Sequence, residues 1–204
     1  NYPVGIVRKL RDWPRDVKLV MDKLGVERFY LSGVSTGCVH AFVVANAYRD
    51  RVIGIGVSTP TAPFSVESSL TKMAPATKFV RTWMEYDYVG DVMGWLMSKM
   101  SAKQRMSAAP DVAAALDKML RIKKPWMMDA YEGYISDQTR GVVKGHRGWS
   151  DNMNTINEDL PFPVEQLSFV HENGFKFIIT SSNDDTTNPP QMQRYWADSI
   201  KGAE

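Results

Sequence analysis

The sequence contains few of the residues on which disulfide, metal or membrane chemistry depends. It has one cysteine, Cys38, and three histidines among 204 residues, so it can form neither an internal disulfide nor a cysteine-based zinc site. No apolar run approaches the roughly 18 residues of a transmembrane helix. A formal net charge of +2 is too small to indicate a nucleic acid or an anionic membrane as partner. The lone cysteine fits a reducing compartment, which favours a cytoplasmic location.

The composition is that of an ordinary globular protein, with 44 % apolar and 24 % charged residues. Near the N-terminus, Asp12 and Pro14 suit the start of a helix, and Gly25 suits its left-handed end. Between them an apolar stripe has helical spacing, and it consists of Val17, Val20, Met21 and Leu24. These residues fall on one face of the predicted helix.

Two apolar strand-like runs follow, with a largely apolar helix between them. The strands are predicted at Phe29–Ser32 and Val52–Ser58, and the helix at Cys38–Tyr48. Glycines at 54 and 56 suggest that another backbone approaches the second strand closely. Strand–helix–strand alternation predicts an α/β protein with a parallel sheet and flanking helices. The same pattern returns near the C-terminus with a strand at Phe175–Thr180, a polar loop, and a helix at Gln191–Ile200.

The middle of the chain, from about residue 59 to 159, has a different texture. Helical stretches are predicted around residues 66–73, 89–100 and 111–122, and most of the methionines and tryptophans lie in this region. Methionine fills irregular apolar space, so this region is interpreted either as a lid over an apolar cleft or as an ordinary helical core. The composition leaves both open.

A serine lies on the tight corner between the first strand and the helix. Residues Gly33-Val34-Ser35-Thr36-Gly37 match the pattern Gly-x-Ser-x-Gly. A nucleophile at such a corner needs a strained backbone that pushes its hydroxyl outward, and small residues two positions away on either side. The helix that begins there directs its N-terminal N–H groups at the site, and the N–H of Thr36 is placed to stabilise an oxyanion. The alternative is a glycine-rich turn with an inert serine.

The order of these elements resembles the α/β-hydrolase superfamily. The matching stretches are DVKLVMDKLGVERFYLSGVSTGCVHAFVVANAYRDRVIGIGVSTPTAPF and FKFIITSSNDDTTNPPQMQRYWADSI. The resemblance implies a partial α/β-hydrolase parallel sheet with a helical cap insertion. The core would comprise residues 1–63 and 159–204, and the cap or lid residues 64–158.

The resemblance also implies site residues. Ser35 would be the nucleophile, and Asp185, four residues before Pro189, the acid that orients a histidine. Asp184 is the alternative acid, because one residue of loop slack would exchange the two. Serine at the corner favours esterase-, lipase- or peptidase-like chemistry, since relatives that open epoxides or remove halides have aspartate there. No cofactor and no metal is expected.

The catalytic histidine is the element of the pattern that this sequence lacks. In this fold the order is serine, acid, histidine, yet His40, His146 and His171 all precede Asp185. We interpret His40 as structural and His146 and His171 as surface residues. Only about ten residues precede the first helix, so we expect a fragment without the first strands, the second oxyanion donor and the histidine segment. Such a fragment would expose an apolar edge at residues 29–32 and be inactive by itself.

These observations predict a serine hydrolase for an ester-like substrate with an apolar group. Two alternatives stay open. One is a non-catalytic protein of this fold that binds a ligand or partner. The other is a cofactor-free lyase or perhydrolase on the same scaffold, which would keep the triad but hydrolyse simple esters poorly.

Overall fold

The computed structural model describes residues 9–63, 66, 73–83, 86–100, 133 and 158–204. Within these residues the helices and strands are, in chain order, α1 (Trp13–Lys23), β1 (Phe29–Val34), α2 (Gly37–Ala47), β2 (Val52–Ser58), α3 (Pro75–Trp83), α4 (Asp87–Lys99), α5 (Phe169–Glu172), β3 (Phe177–Thr180) and α6 (Pro190–Ser199). Short 3-10 turns lie at Leu10–Asp12 and Val164–Ser168. The predicted helix at 111–122, most of that at 66–73, and His146 lie outside the described residues.

The chain divides into two compact units. One contains Asn1–Ile6 and Trp83–Asn154, and the other contains Val7–Thr82 and Thr155–Glu204. In the first unit, the rings of Trp83, Tyr86 and Tyr88 follow one another at 6.0 and 5.8 Å between centroids. The second unit contains the sheet. In the described part of the chain, no helix has both the length and the apolar character needed to cross a membrane.

The sheet is parallel and has the order β1-β2-β3. This confirms the predicted α/β class with helices flanking a parallel sheet. Because β2 lies between the other two strands, Val52, Ile55 and Val57 are all buried. Beyond β3, Ala203 pairs with Phe177 in a parallel bridge, and the Glu204 N–H donates to the Phe177 carbonyl over 2.9 Å.

The core lies where α2 and α6 cover the sheet. Helix α2 is buried from Cys38 to Ala45 with the exception of His40, which is half-buried. Its Phe42 ring lies 5.7 Å from that of Phe177 and 4.7 Å from that of Trp196. Trp196 is fully buried and donates its indole N–H to the Thr61 carbonyl over 3.2 Å. Helix α6 is thereby fixed against the segment that follows β2.

Helix α1 forms as predicted, with Pro14 in its first turn, but its apolar stripe is only partly covered. Val20 and Leu24 are 50 % and 67 % exposed. The Asp12 carboxylate accepts the Lys9 N–H over 2.8 Å and makes no cap bond to α1, because a 3-10 turn precedes the helix.

The end of α1 has the predicted left-handed glycine. Gly25 has φ +68°, and the N–H of Val26 donates to the Met21 carbonyl over 2.9 Å. This is the hydrogen-bond pattern of a glycine-terminated helix.

The two glycines of β2 differ in their surroundings. A Cβ on Gly54 would lie 2.9 Å from the Tyr30 ring and 3.3 Å from the Lys176 carbonyl oxygen, whereas a Cβ on Gly56 would meet nothing within 4 Å. The close approach predicted for this strand is therefore present at Gly54 and absent at Gly56. It involves mainly a side chain, because the register of the pair shifts between Phe29 and Leu31.

Helix α3 was not predicted. Arg81 attaches it to the core by donating to the Ala62 carbonyl, and a guanidinium nitrogen lies 3.5 Å from Met192 Sδ. Burial lowers the pKa of Arg81 to about 10, so the side chain is charged at neutral pH. The sequence does contain a signal for this helix, because Ala76, Phe79, Val80 and Trp83 have helical spacing, and the prediction overlooked it.

The fold predicts an unreactive thiol at Cys38. Burial raises its pKa to about 12 from the ordinary 9.0, and only the thiolate is nucleophilic. In the folded protein, iodoacetamide should modify Cys38 about a thousandfold more slowly than in urea, since each pKa unit is a factor of about ten in thiolate. Comparable rates in the two states would contradict this packing.

The same shift predicts a pH dependence of stability. Above pH 9 the unfolded thiol ionises while the folded thiol stays neutral, so the free energy of unfolding should fall as the pH rises from 9 towards 12. Urea titrations across this window should give a shallower decline for Cys38→Ala than for the wild type. Parallel declines would mean that Cys38 ionises equally in both states.

Candidate active site

Ser35 occupies the corner between β1 and α2 in a strained conformation. Its φ is +53°, in the left-handed region, which costs a residue with a Cβ about 1–2 kcal/mol. The Ser35 N–H donates to the Ser58 carbonyl at the end of β2 over 2.9 Å. The side chain is half-buried, so it is neither packed in the core nor fully in solvent. Strain of this kind concentrates at functional sites.

Gly33 explains why the corner can be so tight. A Cβ at this position would lie 2.8 Å from the Cys38 Cα and 3.0 Å from both the Cys38 nitrogen and the Gly37 carbonyl oxygen. These are backbone atoms and cannot move aside. The end of β1 and the start of α2 therefore cross at a distance that only glycine allows.

Close packing does not require a glycine at Gly37, the second glycine of the pattern. A Cβ on Gly37 would meet nothing within 4 Å, and Gly37 is the exposed first residue of α2. The expectation that both flanking positions must be small is therefore wrong for Gly37. The corner constrains the strand side and leaves the helix side open.

Thr36 stands at the N-terminal end of α2 with φ −63° and ψ −25°. Its carbonyl accepts the Val39 N–H over 3.3 Å, while its own N–H has no acceptor among the described residues. Such free N–H groups are usual in the first turn of a helix and attract negative charge.

The loop after β3 contains the two candidate acids. Asp185 is half-buried, and its Oδ1 accepts the N–H of Thr187 over 2.9 Å and that of Asn188 over 2.8 Å. Its Oδ2 has no hydrogen-bond partner in the part of the chain that is described. Asp184 is exposed, and its N–H lies 3.4 Å from Ser182 Oγ.

Asn188 connects this loop to the corner. Its Nδ2 donates to Ser35 Oγ over 3.0 Å and to the Thr59 carbonyl over 3.1 Å, and the residue is 5 % exposed. The loop of Asp185 and the hydroxyl of Ser35 therefore lie at the same edge of the sheet. The sequence analysis missed Asn188, because an asparagine before a proline carries no motif.

Thr59 is a second strained residue beside Ser35. Its φ is +47°, which is unusual for a β-branched residue. Its N–H donates to the Thr180 carbonyl at the end of β3 over 2.8 Å. Asn188 thus contacts two adjacent left-handed residues, one after each of two neighbouring strands.

Neither described histidine contacts the Ser35 hydroxyl. His40 Nδ1 lies 3.2 Å from the Thr36 carbonyl oxygen, and its ring packs edge-on against Trp13 at 4.7 Å between centroids. His171 is exposed on α5 beside Gly202. Among the described residues, no group of three or more histidine, cysteine or acidic side chains could hold a metal ion.

Comparison with known proteins identifies the fold. No protein-family model and no curated protein matches the chain in sequence, but solved structures match. An α/β hydrolase from a Medee basin deep-sea metagenome has a TM-score of 0.56 at 16 % identity over 98 % of this chain and 64 % of its own. A thermophilic esterase from Thermogutta terrifontis has a TM-score of 0.56 at 16 % identity, and the match covers 100 % of this chain and 64 % of the esterase. An enol-lactonase from Burkholderia xenovorans has a TM-score of 0.54 at 18 % identity, and the match covers 97 % of this chain and 63 % of the lactonase.

The chain therefore has the α/β-hydrolase fold, as the resemblance around Ser35 predicted. It spans about 64 % of the length of the solved structures that it matches, which agrees with the expectation of a fragment. At these identities the likeness establishes the fold alone.

The two glycines give a matched test of the corner. Gly33→Ala should lower the free energy of unfolding by about 2 kcal/mol, because the new methyl group would overlap backbone atoms. Gly37→Ala should raise it by about 0.5 kcal/mol, because alanine fits the helix and restricts the unfolded chain. Urea-unfolding curves of both variants measure this. Equal destabilisation by the two substitutions would contradict the geometry at the corner.

Proposed function

We propose that the protein is a serine hydrolase that cleaves an ester-like carbonyl substrate with an apolar group. Ser35 is the nucleophile in this proposal. The observation that carries it is the left-handed backbone at Ser35, a half-buried hydroxyl on a strained corner at the carboxyl end of a parallel strand. A chain that keeps this strain in an inert turn would gain stability by placing glycine there.

In the proposed reaction, Ser35 Oγ bonds to the substrate carbonyl carbon and its proton passes to a histidine. The tetrahedral intermediate then expels the alcohol, which takes that proton from the histidine. Water, deprotonated by the same histidine, attacks the acyl-enzyme, and collapse releases the carboxylic acid and restores Ser35. No cofactor is required for these steps.

The oxyanion of the intermediate would be stabilised by the Thr36 N–H. This group has no acceptor among the described residues and lies in the residue after the nucleophile, at the positive end of α2. A second N–H donor would come from sequence outside residues 1–204.

Asp185 is proposed as the acid that orients the histidine. Two backbone N–H groups hold its Oδ1, which leaves Oδ2 available to accept from an imidazole. Asp184 suits this role less well, because it is exposed to solvent. Among the described residues, His40 and His171 contact other groups, and His146 lies outside the described residues. The histidine is proposed to come from outside residues 1–204, with His146 as the alternative.

The substrate class is proposed from the structural neighbours and from the composition of the middle of the chain. An esterase and an enol-lactonase share the fold, and a lactone is a cyclic ester. Residues 64–158 are proposed as a cap whose methionines, tryptophans and tyrosines would face an apolar acyl or alcohol group. We expect a small-molecule substrate.

One observation favours a second candidate, a non-catalytic binding protein of this fold. In the described part of the chain, the partner of the Ser35 hydroxyl is an asparagine amide and not an imidazole. Such a protein would keep the corner and lose the proton acceptor. A reactivity test separates the two candidates.

A fluorophosphonate probe tests the nucleophile. In the protein at its natural full length, Ser35 Oγ should displace fluoride from phosphorus, and peptide mass spectrometry should find the adduct on Ser35. Ser35→Ala should abolish labelling. Ser32→Ala is the matched control, because Ser32 is an exposed serine on the same strand, and it should label like the wild type. Absence of labelling in folded wild-type protein would contradict the hydrolase proposal and favour the binding protein.

Hydrolysis of p-nitrophenyl butyrate distinguishes the remaining possibilities. The full-length protein should turn over this ester, whereas residues 1–204 alone should not, because no described histidine reaches Ser35. Turnover by residues 1–204 that His146→Ala abolishes would instead identify His146 as the base. Labelling at Ser35 without ester hydrolysis would favour a lyase or perhydrolase.

A further inference from the structure

We infer that Asn188 is a positioning residue that fixes the direction of the Ser35 hydroxyl. This inference rests on the proposed function. Its geometric basis is the pair of hydrogen bonds from one amide nitrogen to Ser35 Oγ and to the Thr59 carbonyl oxygen, at 3.0 and 3.1 Å. Both acceptors belong to residues in the left-handed region.

The orientation of the amide follows from its neighbours. A carbonyl oxygen only accepts hydrogen bonds, so the atom of Asn188 that faces the Thr59 oxygen must be the nitrogen. The Asn188 oxygen then faces the Thr61 hydroxyl at 3.4 Å, which can donate to it. Reversing the amide would oppose two oxygens at Thr59.

This orientation determines the role of the hydroxyl. Both hydrogens of the Asn188 amide are used, one on the Thr59 oxygen and one on Ser35 Oγ, and an amide nitrogen cannot accept. Ser35 Oγ therefore accepts from Asn188, and its own hydrogen points elsewhere. The Ser35 hydroxyl hydrogen is therefore available for donation to a general base that lies on another side of Oγ.

Asn188 is itself held rigidly. Its N–H donates to Asp185 Oδ1 over 2.8 Å, and its carbonyl accepts from Gln193 Nε2 over 3.0 Å. The following Pro189 restricts its backbone further. With 5 % exposure, the side chain does not exchange these bonds for water. A continuous path thus runs from the proposed acid through Asn188 to the nucleophile.

The kinetic test compares three variants of the full-length protein with p-nitrophenyl butyrate. Asn188→Ala should lower kcat about fivefold with KM within about twofold, since a net hydrogen bond contributes roughly 1 kcal/mol. Asn188→Asp should lower kcat further, because its carboxylate cannot donate and would draw the Ser35 hydrogen to itself. The control Thr187→Ala should keep kcat within about twofold, because Thr187 is exposed in the same loop and its backbone N–H, which bonds Asp185, is retained.

The kinetic outcomes separate positioning from stability. A KM increase at constant kcat would overturn the inference, because it indicates lost substrate binding and not a misdirected nucleophile. Equal losses of kcat in Asn188→Ala and Thr187→Ala would overturn it too, because they would indicate a general disturbance of the loop. The ratio of kcat in Asn188→Asp to kcat in the wild type should rise as the pH falls, because protonation of the new carboxyl restores a hydrogen-bond donor while protonation of the histidine lowers kcat in both proteins. A constant ratio would overturn the inference.

A spectroscopic test does not depend on activity or on folding of the Asn188 variants. In ¹⁵N–¹H spectra, Ser35→Ala should move one side-chain amide hydrogen of Asn188 upfield and speed its exchange with water, whereas Ser32→Ala should not. An unchanged Asn188 signal in Ser35→Ala would overturn the inference. If the wild type fails to react with fluorophosphonate but the signal moves, the proposed function fails while the Asn188 contact stands.

Discussion

The left-handed backbone at Ser35 is the constraint on which the site depends. A φ of +53° at a residue with a Cβ persists only when surrounding contacts over-determine it. Gly33 supplies the first of these, because its missing Cβ lets the strand pass within contact distance of the Cys38 backbone. The Ser58 carbonyl supplies the second by accepting the Ser35 N–H. Packing of α2 against the sheet then fixes the direction in which the corner opens.

The ends of the three strands are joined by hydrogen bonds that run across the sheet. The end of β1 bonds to that of β2 through Ser35 and Ser58, and the residue after β2 bonds to the end of β3 through Thr59 and Thr180. Asn188 links the ends of β1 and β2 as well, because its amide donates to Ser35 Oγ and to the Thr59 carbonyl. Ligands of open parallel sheets bind outside the carboxyl ends of the strands, so a rigid edge there suits a site that must hold a reactive atom in place.

Much of this could be predicted from the sequence because it follows from local rules. The alternation of apolar runs predicted the parallel sheet, Gly25 the end of α1, and the Gly33–Ser35 spacing the corner. The requirement for a small residue at Gly37 was predicted wrongly, because whether a Cβ fits depends on atoms that only the folded chain brings near. Asn188 was missed for the same reason. Its partners are distant in sequence, and tertiary contacts of this kind have no periodicity.

The elements that were mispredicted also have physical reasons. Helix α3 was overlooked although Ala76, Phe79, Val80 and Trp83 have helical spacing. Its contact from Arg81 to the Ala62 carbonyl is a tertiary one that leaves no signal in the sequence. The apolar stripe of α1 is present in the sequence, yet Leu24 is largely exposed. Apolar spacing identifies a helix face that is suited to burial, but it does not identify the element that packs on that face.

The central claim is that the strained corner presents the Ser35 oxygen to a carbonyl group beside the Thr36 N–H. A crystal structure of the full-length protein after reaction with a fluorophosphonate tests it most directly. We predict a covalent bond from Ser35 Oγ to phosphorus, with a phosphoryl oxygen about 2.7–3.1 Å from the Thr36 nitrogen. An adduct on another residue, or a phosphoryl oxygen directed away from the start of α2, would contradict the account.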